Sequence, residues 1–524
     1  MDRDLALLNA TVWSEGRMMG PRWGVLCRAG RIWQIGSEAR LRALLTRDFD
    51  AYDLEGAFIF PGFIDSHLHL VSLGFALADV DLSEAASEDA AARAVGERVR
   101  GEAEGRWVSG RGWHSNEWPG GEYPTRRSLD SVTPPGVMVY LRSRCGHALW
   151  VNSAALAAAK VTRKTKDPAG GRVVRDPSGE PTGVLLERAI ELVAKALPQR
   201  TLQEKVAAAQ RAVSHLHAFG VTGAVVCGEA DGMEATQALD SAGALRMRLL
   251  VMPDAGQVEH VAGLGLRPGF GSDFLGLGPV KVFADGSLGS RTAAMFSEYP
   301  DGTKGILAAE REEMEQVVRT ANSAGWPVAI HAIGDRAVAE ALGAIEAAGD
   351  PKVRNRIEHA QCVRRADAGR FKALGAIASV QPVHMVYDRE AATKLWGEAA
   401  GRAFPLVTLK AAGATLAFGS DAPVVTADPM LGIHAAVNRS KPGSGDDPWL
   451  PDERLPVQDA VLAYTEGSAY AAGWEHRRGR LLPGFDADIV VLSENPFDVP
   501  REHLAELRPV ATVVGGSVVH MAGD

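Results

Sequence analysis

The chain has 524 residues, of which 46% are apolar and 23% charged, a composition that argues against disorder. Its formal net charge of −9, without basic blocks, argues against a nucleic-acid partner. No apolar run is long enough for a membrane span, no signal peptide is evident, and the four cysteines form no Cys-x-x-Cys pair. These features predict a cytoplasmic protein with no nucleic-acid or membrane partner.

The two ends of the chain have similar sequence patterns. LALLNATVW and GVLCRAGRIWQIG lie near the N-terminus, and ADIVVLSENPF and ATVVGGSVVH lie near the C-terminus. Short β-rich runs with tight glycine turns favour sheet, yet neither end has enough strands for a stable sheet alone. We therefore predict that residues 1–56 and 455–524 meet in one small β domain, with the middle of the chain inserted between them.

Residues 57–454 alternate between apolar strand-like runs and Ala- and Glu-rich helical stretches. This alternation predicts parallel βα units, and eight of them predict a closed (β/α)8 barrel with its site at the carboxyl ends of the strands. An open doubly wound sheet is the alternative, and it also places its site at strand ends. The eight runs are Ala57–Ile64, Val221–Cys227, Met247–Met252, Val280–Ala284, Val328–His331, Arg356–Ala360, Ala376–Val380 and Thr415–Phe418.

The gap between the first and second runs is roughly 150 residues, which is more than one helix needs. Within it, residues 106–185 carry strand and turn signals of their own, in RWVSGRGWH, GVMVYLRSR and GRVVRDPSGEPTGVLL. We predict that residues 106–185 form an insertion subdomain within the barrel. Loops of this length in compact domains are usually functional.

The first run ends in PGFIDSHLHL, with His67 and His69 two residues apart. On a strand these side chains point to the same side, so the two imidazoles could bind one metal ion. His215 and His217 have the same spacing within QEKVAAAQRAVSHLHAFG. In a helix such rings diverge by roughly 200°, so we expect this second pair to be ordinary core or surface residues.

Four further strand-like runs end near a polar residue: Lys281, His331, His359 and Asp421. Any one of them could be a satisfied buried polar group or a loop cap. Five strands that aim such residues at one barrel mouth are better explained by a shared ion, because buried polar groups are costly unless they are paired.

Lys281 is unusual in this set, because an ammonium group cannot ligate a cation. It could form a salt bridge with Glu358 or Asp421. Alternatively, its amine could react with CO2 to give an anionic carbamate, which could bridge two metals about 3.5–4 Å apart. Burial favours this chemistry because it makes a lysine amine more nucleophilic.

This set of strand-end residues, together with KVFADGSLGSRTA, GRGWH and GHALWVNSAAL, resembles the amidohydrolase superfamily. Within it, the chain is similar to the YtcJ-like branch, which includes N-substituted formamide deformylases. The resemblance implies a TIM-like metal-dependent hydrolase barrel at residues 57–454 and a small β-sandwich made of residues 1–56 with 455–524.

The resemblance also implies roles for individual residues. His67, His69 and Asp421 would bind one divalent metal ion and His331 and His359 a second, with zinc as the expected ion. A carboxylated Lys281 would lie between the two ions. Asp421, Lys281 and His331 are accordingly the predicted catalytic residues. The chain departs from the family pattern at 144–147 (RCGH), where relatives often have Asp before Gly-His, so no substrate role is assigned to Cys145.

The implied reaction is hydrolysis of a non-peptide C–N bond in a small molecule, such as an N-substituted formamide or an N-acyl compound. A metal-bridged hydroxide would attack the carbonyl, and Asp421 would act as general acid and base. The same binuclear site would serve an esterase, a lactonase or a phosphoester hydrolase. A non-catalytic barrel scaffold is a further alternative, which the filled ligand positions argue against. Assembly as a homodimer is left open.

Substrate contacts are predicted less directly. Trp113 and Phe283 favour an apolar pocket, with plain packing as the alternative. Arg291 could bind a carboxylate or brace its loop, and bracing is the favoured role. His147 and His384 could hydrogen-bond a substrate carbonyl. The full set of candidates is Trp113, His114, His147, Phe283, Arg291 and His384.

Overall fold

The computed structural model describes residues 4–46, 48–115, 118–143, 148–168, 170–228 and 230–523. It divides into two compact units. The first combines Met1–Leu73 with Lys205–Asp524, and the second is Gly74–Glu204. Among the described residues, no helix is both long and apolar enough to cross a membrane.

The strands that the structure describes are, in chain order, β1 (Asp4–Ser14), β2 (Arg17–Arg28), β3 (Arg31–Ser37), β4 (Phe49–Asp53), β5 (Phe58–Pro61), β6 (Phe63–Leu68), β7 (Val80–Asp81), β8 (Trp107–Trp113), β9 (Met138–Ser143), β10 (Ala148–Val151), β11 (Gly171–Arg175), β12 (Pro181–Glu187), β13 (Val221–Val226), β14 (Arg248–Val251), β15 (Leu275–Leu277), β16 (Val280–Phe283), β17 (Val328–Ala332), β18 (Arg356–His359), β19 (Ile377–Val380), β20 (Thr415–Phe418), β21 (Ile489–Leu492), β22 (Pro509–Val514) and β23 (Ser517–Met521).

The α-helices are α1 (Glu38–Arg42), α2 (Leu70–Ala76), α3 (Glu88–Arg98), α4 (Arg126–Val132), α5 (Ser153–Ala158), α6 (Ile190–Ala194), α7 (Leu202–Ala218), α8 (Ala230–Ser241), α9 (Val258–Gly263), α10 (Arg311–Ser323), α11 (Asp335–Ala348), α12 (Arg365–Leu374), α13 (Pro382–Trp396), α14 (Leu406–Ala411), α15 (Pro429–Asn438), α16 (Val457–Leu462) and α17 (Ser468–Ala471). Short 3-10 turns occupy Ala255–Gln257, Gly397–Arg402, Pro451–Glu453 and Arg501–Glu506, and a π-helical turn occupies Ala463–Gly467.

Strands from both ends of the chain form one eight-stranded sheet in the first unit. Its order is β23-β22-β21-β5-β1-β2-β3, and β4 also pairs with β1. The two chain ends are joined at β5, which runs parallel to β1 and antiparallel to β21. Successive residues of β1 are buried on opposite faces, with Leu5 and Leu7 in one apolar cluster and Ala6 and Leu8 in another. This is the period of two that a sheet buried on both faces requires.

Nine parallel strands form two further sheets in the first unit. Four of them form a sheet of order β15-β14-β13-β6, and five form a sheet of order β16-β17-β18-β19-β20. Hydrogen bonds connect the two sheets at two places, one beside β6 and one where the chain leaves β14. The Asp421 amide donates to the His67 carbonyl at 2.7 Å, and the Lys281 amide donates to the Pro253 carbonyl at 2.8 Å. Helices connect most of these strands, as in a TIM-barrel-like α/β fold.

Two of the parallel strands differ from the sequence prediction. The first predicted run, Ala57–Ile64, is divided between β5, which joins the terminal sheet, and β6, which begins at Phe63. Gly62 lies between them, and a Cβ there would come within 2.3 Å of the Thr222 side chain. In addition, the structure contains β15, a three-residue strand beside β14 that the sequence analysis did not predict.

The second unit, Gly74–Glu204, is wider than the predicted insertion at 106–185. It contains a six-stranded sheet of order β11-β12-β10-β9-β8-β7. The pairs among β7, β8 and β9 are parallel, and the remaining pairs are antiparallel. Three tryptophans, Trp113, Trp118 and Trp150, pack with ring centroids 6.1–6.2 Å apart in its core.

Candidate metal centre

Strand β6 delivers the two closely spaced histidines. Every residue of β6 is buried, and His67 is only 1% exposed, near the carboxyl end of the strand. The chain after β20 pairs with this end, because the Ala422 carbonyl accepts the His69 amide at 2.8 Å. The first and last strands of the parallel set are therefore in direct contact where the candidate ligands lie.

The structure brings the five predicted nitrogen and oxygen ligands together. The ring centroid of His359 lies 4.9 Å from that of His67 and 4.4 Å from that of His331, and the His67 and His69 centroids are 6.1 Å apart. Asp421 Oδ1 is 3.3 Å from His69 Nε2 and 3.6 Å from His67 Nε2. Four imidazoles and one carboxylate thus surround one small volume.

Each of the three more buried imidazoles has one ring nitrogen held by a neighbour. His67 Nδ1 hydrogen-bonds to Glu358 Oε2, and His359 Nδ1 lies 2.8 Å from Gln381 Oε1. His331 Nε2 lies 3.0 Å from the Gly286 carbonyl oxygen. A ring nitrogen that donates to a fixed acceptor leaves the lone pair on the other nitrogen, which is the usual arrangement around metal-ligating histidines.

Glu358 is itself held by Arg356. The Arg356 Nε is 2.7 Å from Glu358 Oε1 and its Nη2 is 3.0 Å from Oε2, and both residues are fully buried. Burial acts to raise the pKa of Glu358, but the Arg356 guanidinium and His67 hold it well below its ordinary value. Glu358 is therefore an anionic acceptor for the His67 ring.

The imidazoles are in the neutral form that binds metal. Burial, helped by the positive charge of Lys281, lowers the pKa of His67 and of His331 to about 4. Burial and the neighbouring His331 lower the pKa of His359 well below its ordinary value. All three rings are consequently uncharged at neutral pH, with a lone pair available.

The backbone at the site is held in unusual conformations. His359 and Asp421 have φ values of 71° and 60°, in the left-handed region that non-glycine residues rarely adopt. Asp65 accepts the backbone amides of His67 and Ser420 at 3.0 Å each, which fixes the ends of β6 and β20. Such local strain is commonly found at functional sites.

Lys281 lies beside this cluster. Its side chain is 3% exposed, and Nζ is 3.4 Å from His67 Nε2. Among the described residues, no carboxylate oxygen forms an ion pair with Lys281 within 4.0 Å, so the salt bridge considered for Glu358 or Asp421 is not formed in this structure. A buried lysine amine with no acidic partner is the environment in which a carbamate would form.

One further donor at this site was missed by the sequence analysis. Cys227 follows β13, and its Sγ, a His67 ring nitrogen and a His69 ring nitrogen all lie within 4.8 Å of one another. The sequence signal is present, since Cys227 ends an apolar strand like the other candidates, but a single cysteine outside a Cys-x-x-Cys pair does not by itself indicate a metal ligand. Imidazole, carboxylate and thiol donors together suit a divalent transition metal such as zinc, so the residues present fit a metal ion.

His384 is the substrate-contact candidate that lies nearest to the cluster. Its Nε2 is 3.7 Å from Asp421 Oδ2 and has no hydrogen-bond partner among the described residues, and the side chain is only 8% exposed. The amide nitrogen of Gln361 lies 3.3 Å from its other ring nitrogen. A buried polar atom aimed at the site without a partner is a natural contact for a substrate atom.

The other predicted substrate contacts are placed differently. Phe283 is half exposed, with its ring centroid 5.3 Å from that of His331. Arg291 forms an ion pair with Asp301 at 3.0 Å, the bracing arrangement. Trp113 is 1% exposed and its indole NH donates to the Leu141 carbonyl, so its contacts are those of a core residue of Gly74–Glu204. His114 is half-buried in the same unit, and His147 lies outside the described residues.

A TIM-barrel-like α/β fold with histidines and an aspartate gathered at the strand ends defines a metal-dependent hydrolase. The sequence profile described as "Amidohydrolase family" matches residues 50–520. The chain belongs to the amidohydrolase family, and it is a hydrolase that acts on carbon–nitrogen bonds. The resemblance inferred from the sequence is thereby confirmed, as is the expectation of an enzyme.

Relatives are similar over nearly the whole chain. Identity is 35% to Protein LONG AFTER FAR-RED 3 of Arabidopsis thaliana, covering 99% of this chain and 91% of that protein. It is 35% to the putative amidohydrolase YtcJ of Bacillus subtilis (strain 168), covering 94% of each. It is 29% to an N-substituted formamide deformylase of Arthrobacter pascens, covering 98% of each. A solved structure, an uncharacterized metal-dependent hydrolase from Pyrococcus horikoshii OT3, is 31% identical with a TM-score of 0.78, covering 95% of this chain and 99% of that one.

Proposed function

We propose that this protein hydrolyses an amide-type C–N bond of a small molecule, such as an N-substituted formamide or an N-acyl compound. The observation that carries the proposal is the convergence of four imidazoles and Asp421, with the far ring nitrogens of His67 and His359 fixed by Glu358 and Gln381. The similarity to an N-substituted formamide deformylase supports amide bonds over esters or phosphoesters.

His67, His69 and Asp421 would hold one divalent ion, and His331 and His359 a second. A carboxylated Lys281 would lie between them, which its burial and the absence of an acidic partner among the described residues support. When bound, the ions would supply Lewis acidity that activates water and polarises the substrate carbonyl.

Asp421 is the residue positioned to carry the proton. Its Oδ1 faces the two β6 histidines, and its Oδ2 lies on the side of His384, 3.7 Å from Nε2. Burial acts to raise the pKa of Asp421, but the hydrogen bond from His69 holds it well below its ordinary value. The carboxylate is therefore ionised, and from this position it would accept a proton from the attacking water and deliver it to the leaving nitrogen.

His384 and Phe283 would position the substrate. The unpartnered His384 Nε2 can donate to the carbonyl oxygen of the scissile amide, where negative charge develops. The half-exposed ring of Phe283, beside His331, offers an apolar surface to the substituent next to that bond.

The test combines a substrate panel with one conservative variant. We expect the metal-loaded enzyme to hydrolyse N-substituted formamides or N-acyl compounds, and chelation to abolish turnover. Asp421→Asn should lower kcat by about 10²–10⁴-fold, because the general acid and base is lost. Asp446→Asn, at an exposed position, is the matched control and should keep the wild-type rate.

Two results would overturn the proposal. One is full activity of the metal-free protein, which would remove the metal from the reaction. The other is an Asp421→Asn enzyme that retains wild-type kcat with bound metal, which would exclude Asp421 as the proton carrier. Preferential hydrolysis of lactones or phosphotriesters in the same panel would instead redirect the substrate class.

A further inference from the structure

Cys227 is held tightly against the strand that carries the first two histidines. It directly follows β13, and its backbone amide donates to the Leu68 carbonyl at 2.8 Å. Its side chain is 4% exposed, and Sγ lies 3.0 Å from His67 Nε2. The thiol therefore points toward the volume enclosed by the candidate ligands.

His67 Nε2 cannot make a favourable contact with all three of the polar groups around it. Because Nδ1 faces the Glu358 carboxylate, Nε2 has a single lone pair to share. Cys227 Sγ lies 3.0 Å away, Lys281 Nζ 3.4 Å away and Asp421 Oδ1 3.6 Å away. One lone pair cannot accept from a thiol and an amine at once, and it repels a carboxylate oxygen. A cation among these atoms would be attractive to the nitrogen, the sulfur and the oxygen.

The spacing of sulfur and nitrogen is close to that of two ligands on one ion. Zinc–sulfur bonds are about 2.3 Å and zinc–nitrogen bonds about 2.0–2.1 Å, so two such ligands lie about 3.1–3.6 Å apart for bond angles between 90° and tetrahedral. The observed 3.0 Å is about 0.1 Å below this range. The ligand atoms of Cys227, His67 and His69 all lie within 4.8 Å of one another, so one ion can reach all three.

The other described cysteines serve as an internal comparison. Cys27 is 1% exposed in the apolar core of the terminal sheet. Cys362 lies in another apolar cluster, where Sγ is 3.5 Å from the Ala399 carbonyl. Of these three buried thiols, Cys227 is the one that is grouped with other metal-ligand side chains. Burial alone does not distinguish it, but its surroundings do.

We propose that the Cys227 thiolate is a ligand of the metal ion held by His67 and His69. This inference rests on the metal centre of the proposed function and adds a sulfur donor from β13 to it. Binding forms a metal–sulfur bond, and the thiol proton is released to solvent. A thiolate ligand would favour zinc or cobalt over magnesium or manganese at this position, because soft ligands select the softer ions.

X-ray absorption at the zinc edge of the full-length, zinc-loaded protein tests the bond directly. We expect a sulfur scatterer at about 2.3 Å in addition to the nitrogen and oxygen shell at about 2.0–2.1 Å. Cys227→Ser should lose the sulfur scatterer and bind zinc at least about tenfold more weakly, whereas Cys27→Ala, an equally buried control, should keep both. In the cobalt-substituted protein, the near-ultraviolet thiolate-to-cobalt absorption should be present in wild type and absent in Cys227→Ser.

The outcomes separate this inference from the proposed function. Bound zinc with only nitrogen and oxygen neighbours in wild type would overturn the Cys227 ligand and leave the metal centre intact. Failure to bind any divalent ion would overturn both. A sulfur scatterer that persists in Cys227→Ser would assign the sulfur to another residue. The wild-type spectrum decides the main question even if the variant does not fold.

Discussion

In each of the three more buried imidazoles of this site, one ring nitrogen contacts a hydrogen-bond acceptor and the other is available to a metal ion. In His67, one nitrogen faces a carboxylate that is paired with Arg356, and the other faces the candidate ion position. The carboxylate fixes the tautomer and the ring orientation, and this raises the basicity of the ligating nitrogen. Glu358 and Arg356 occupy alternate positions of β18 and so point to the same side, which explains how two charges can be buried together there.

A histidine that is not among the candidate ligands gives a prediction about pH. His217, on α7, is 4% exposed, and burial lowers its pKa from 6.5 to about 4. Below pH 6.5 the unfolded chain takes up a proton that the folded chain refuses, so stability is lost as the pH falls from 6.5 toward 4. At 1.36 kcal/mol per pKa unit, this residue should cost about 2 kcal/mol between pH 7 and pH 5.

Urea unfolding of wild type and His217→Gln at both pH values measures this cost. The wild type should lose about 2 kcal/mol more than the variant on acidification. His476→Gln is the control, because the His476 side chain is 87% exposed, and it should follow the wild type. Equal losses in wild type and His217→Gln would show that His217 does not contribute to the acid sensitivity.

The convergence of the four histidines and Asp421 could be predicted from the sequence because each lies at or near the end of a strand, and parallel strands end at the same edge. Which aromatic side chains pack in a core could not be predicted in the same way. Trp113 was a candidate for the mouth of the barrel, yet it is buried against Trp118 and Trp150. An aromatic residue has the same sequence signature in a pocket and in a core, so only the fold distinguishes them. Cys227 lies at the end of a predicted strand, as the other candidates do, but cysteine is a residue type associated with other chemistry.

At the scale of strands, the contact between β6 and β20 depends on the absence of a side chain. Gly419 directly follows β20, and a Cβ there would lie 2.6 Å from the His67 amide nitrogen and 2.8 Å from Asp65 Oδ1. Gly419→Ala should therefore push the two strand ends apart, destabilise the protein by about 1–3 kcal/mol and weaken metal binding. Urea midpoints and zinc titration measure the two effects.

A glycine inside a helix provides the matched control. Gly369 lies in α12, with no atom within 4 Å of the position that a Cβ would occupy. Gly369→Ala should raise stability by about 0.5–1 kcal/mol and leave zinc affinity unchanged, because alanine is the better helix former. If Gly419→Ala behaves like Gly369→Ala, close approach of the strands is not what Gly419 provides.

A strand could be predicted correctly only where one apolar run in the sequence corresponds to one strand with one set of pairing partners. Ala57–Ile64 is one apolar run in the sequence, but β5 pairs with the terminal sheet and β6 with β13. Nothing in a continuous apolar run marks a change of partner, because both sheets bury it. The three residues of β15 are too few, with Gly276 at their centre, to show a period.

For the whole molecule, the candidate centre connects the two parallel sheets. His67 belongs to β6 of the four-stranded sheet, whereas His331 and His359 belong to β17 and β18 of the five-stranded sheet. An ion held by His67 and His69 on the four-stranded side and by Asp421, which follows β20 of the five-stranded sheet, would connect the two sheets and would be released when they separate on unfolding. Metal binding should therefore stabilise the fold, by about 2.7 kcal/mol when the free ion is at 100 times its Kd.

Scanning calorimetry in zinc buffers and in chelator measures this coupling. The unfolding midpoint should rise with the logarithm of free zinc in wild type and fall to a lower limit in chelator. His69→Gln removes a ligand that is 28% exposed on its side chain, so it should flatten the zinc dependence without creating a large core cavity. His476→Gln should keep the wild-type slope. A midpoint that is independent of zinc in wild type would mean that no ion joins the two sheets, and the proposed arrangement of ligands would have to be abandoned.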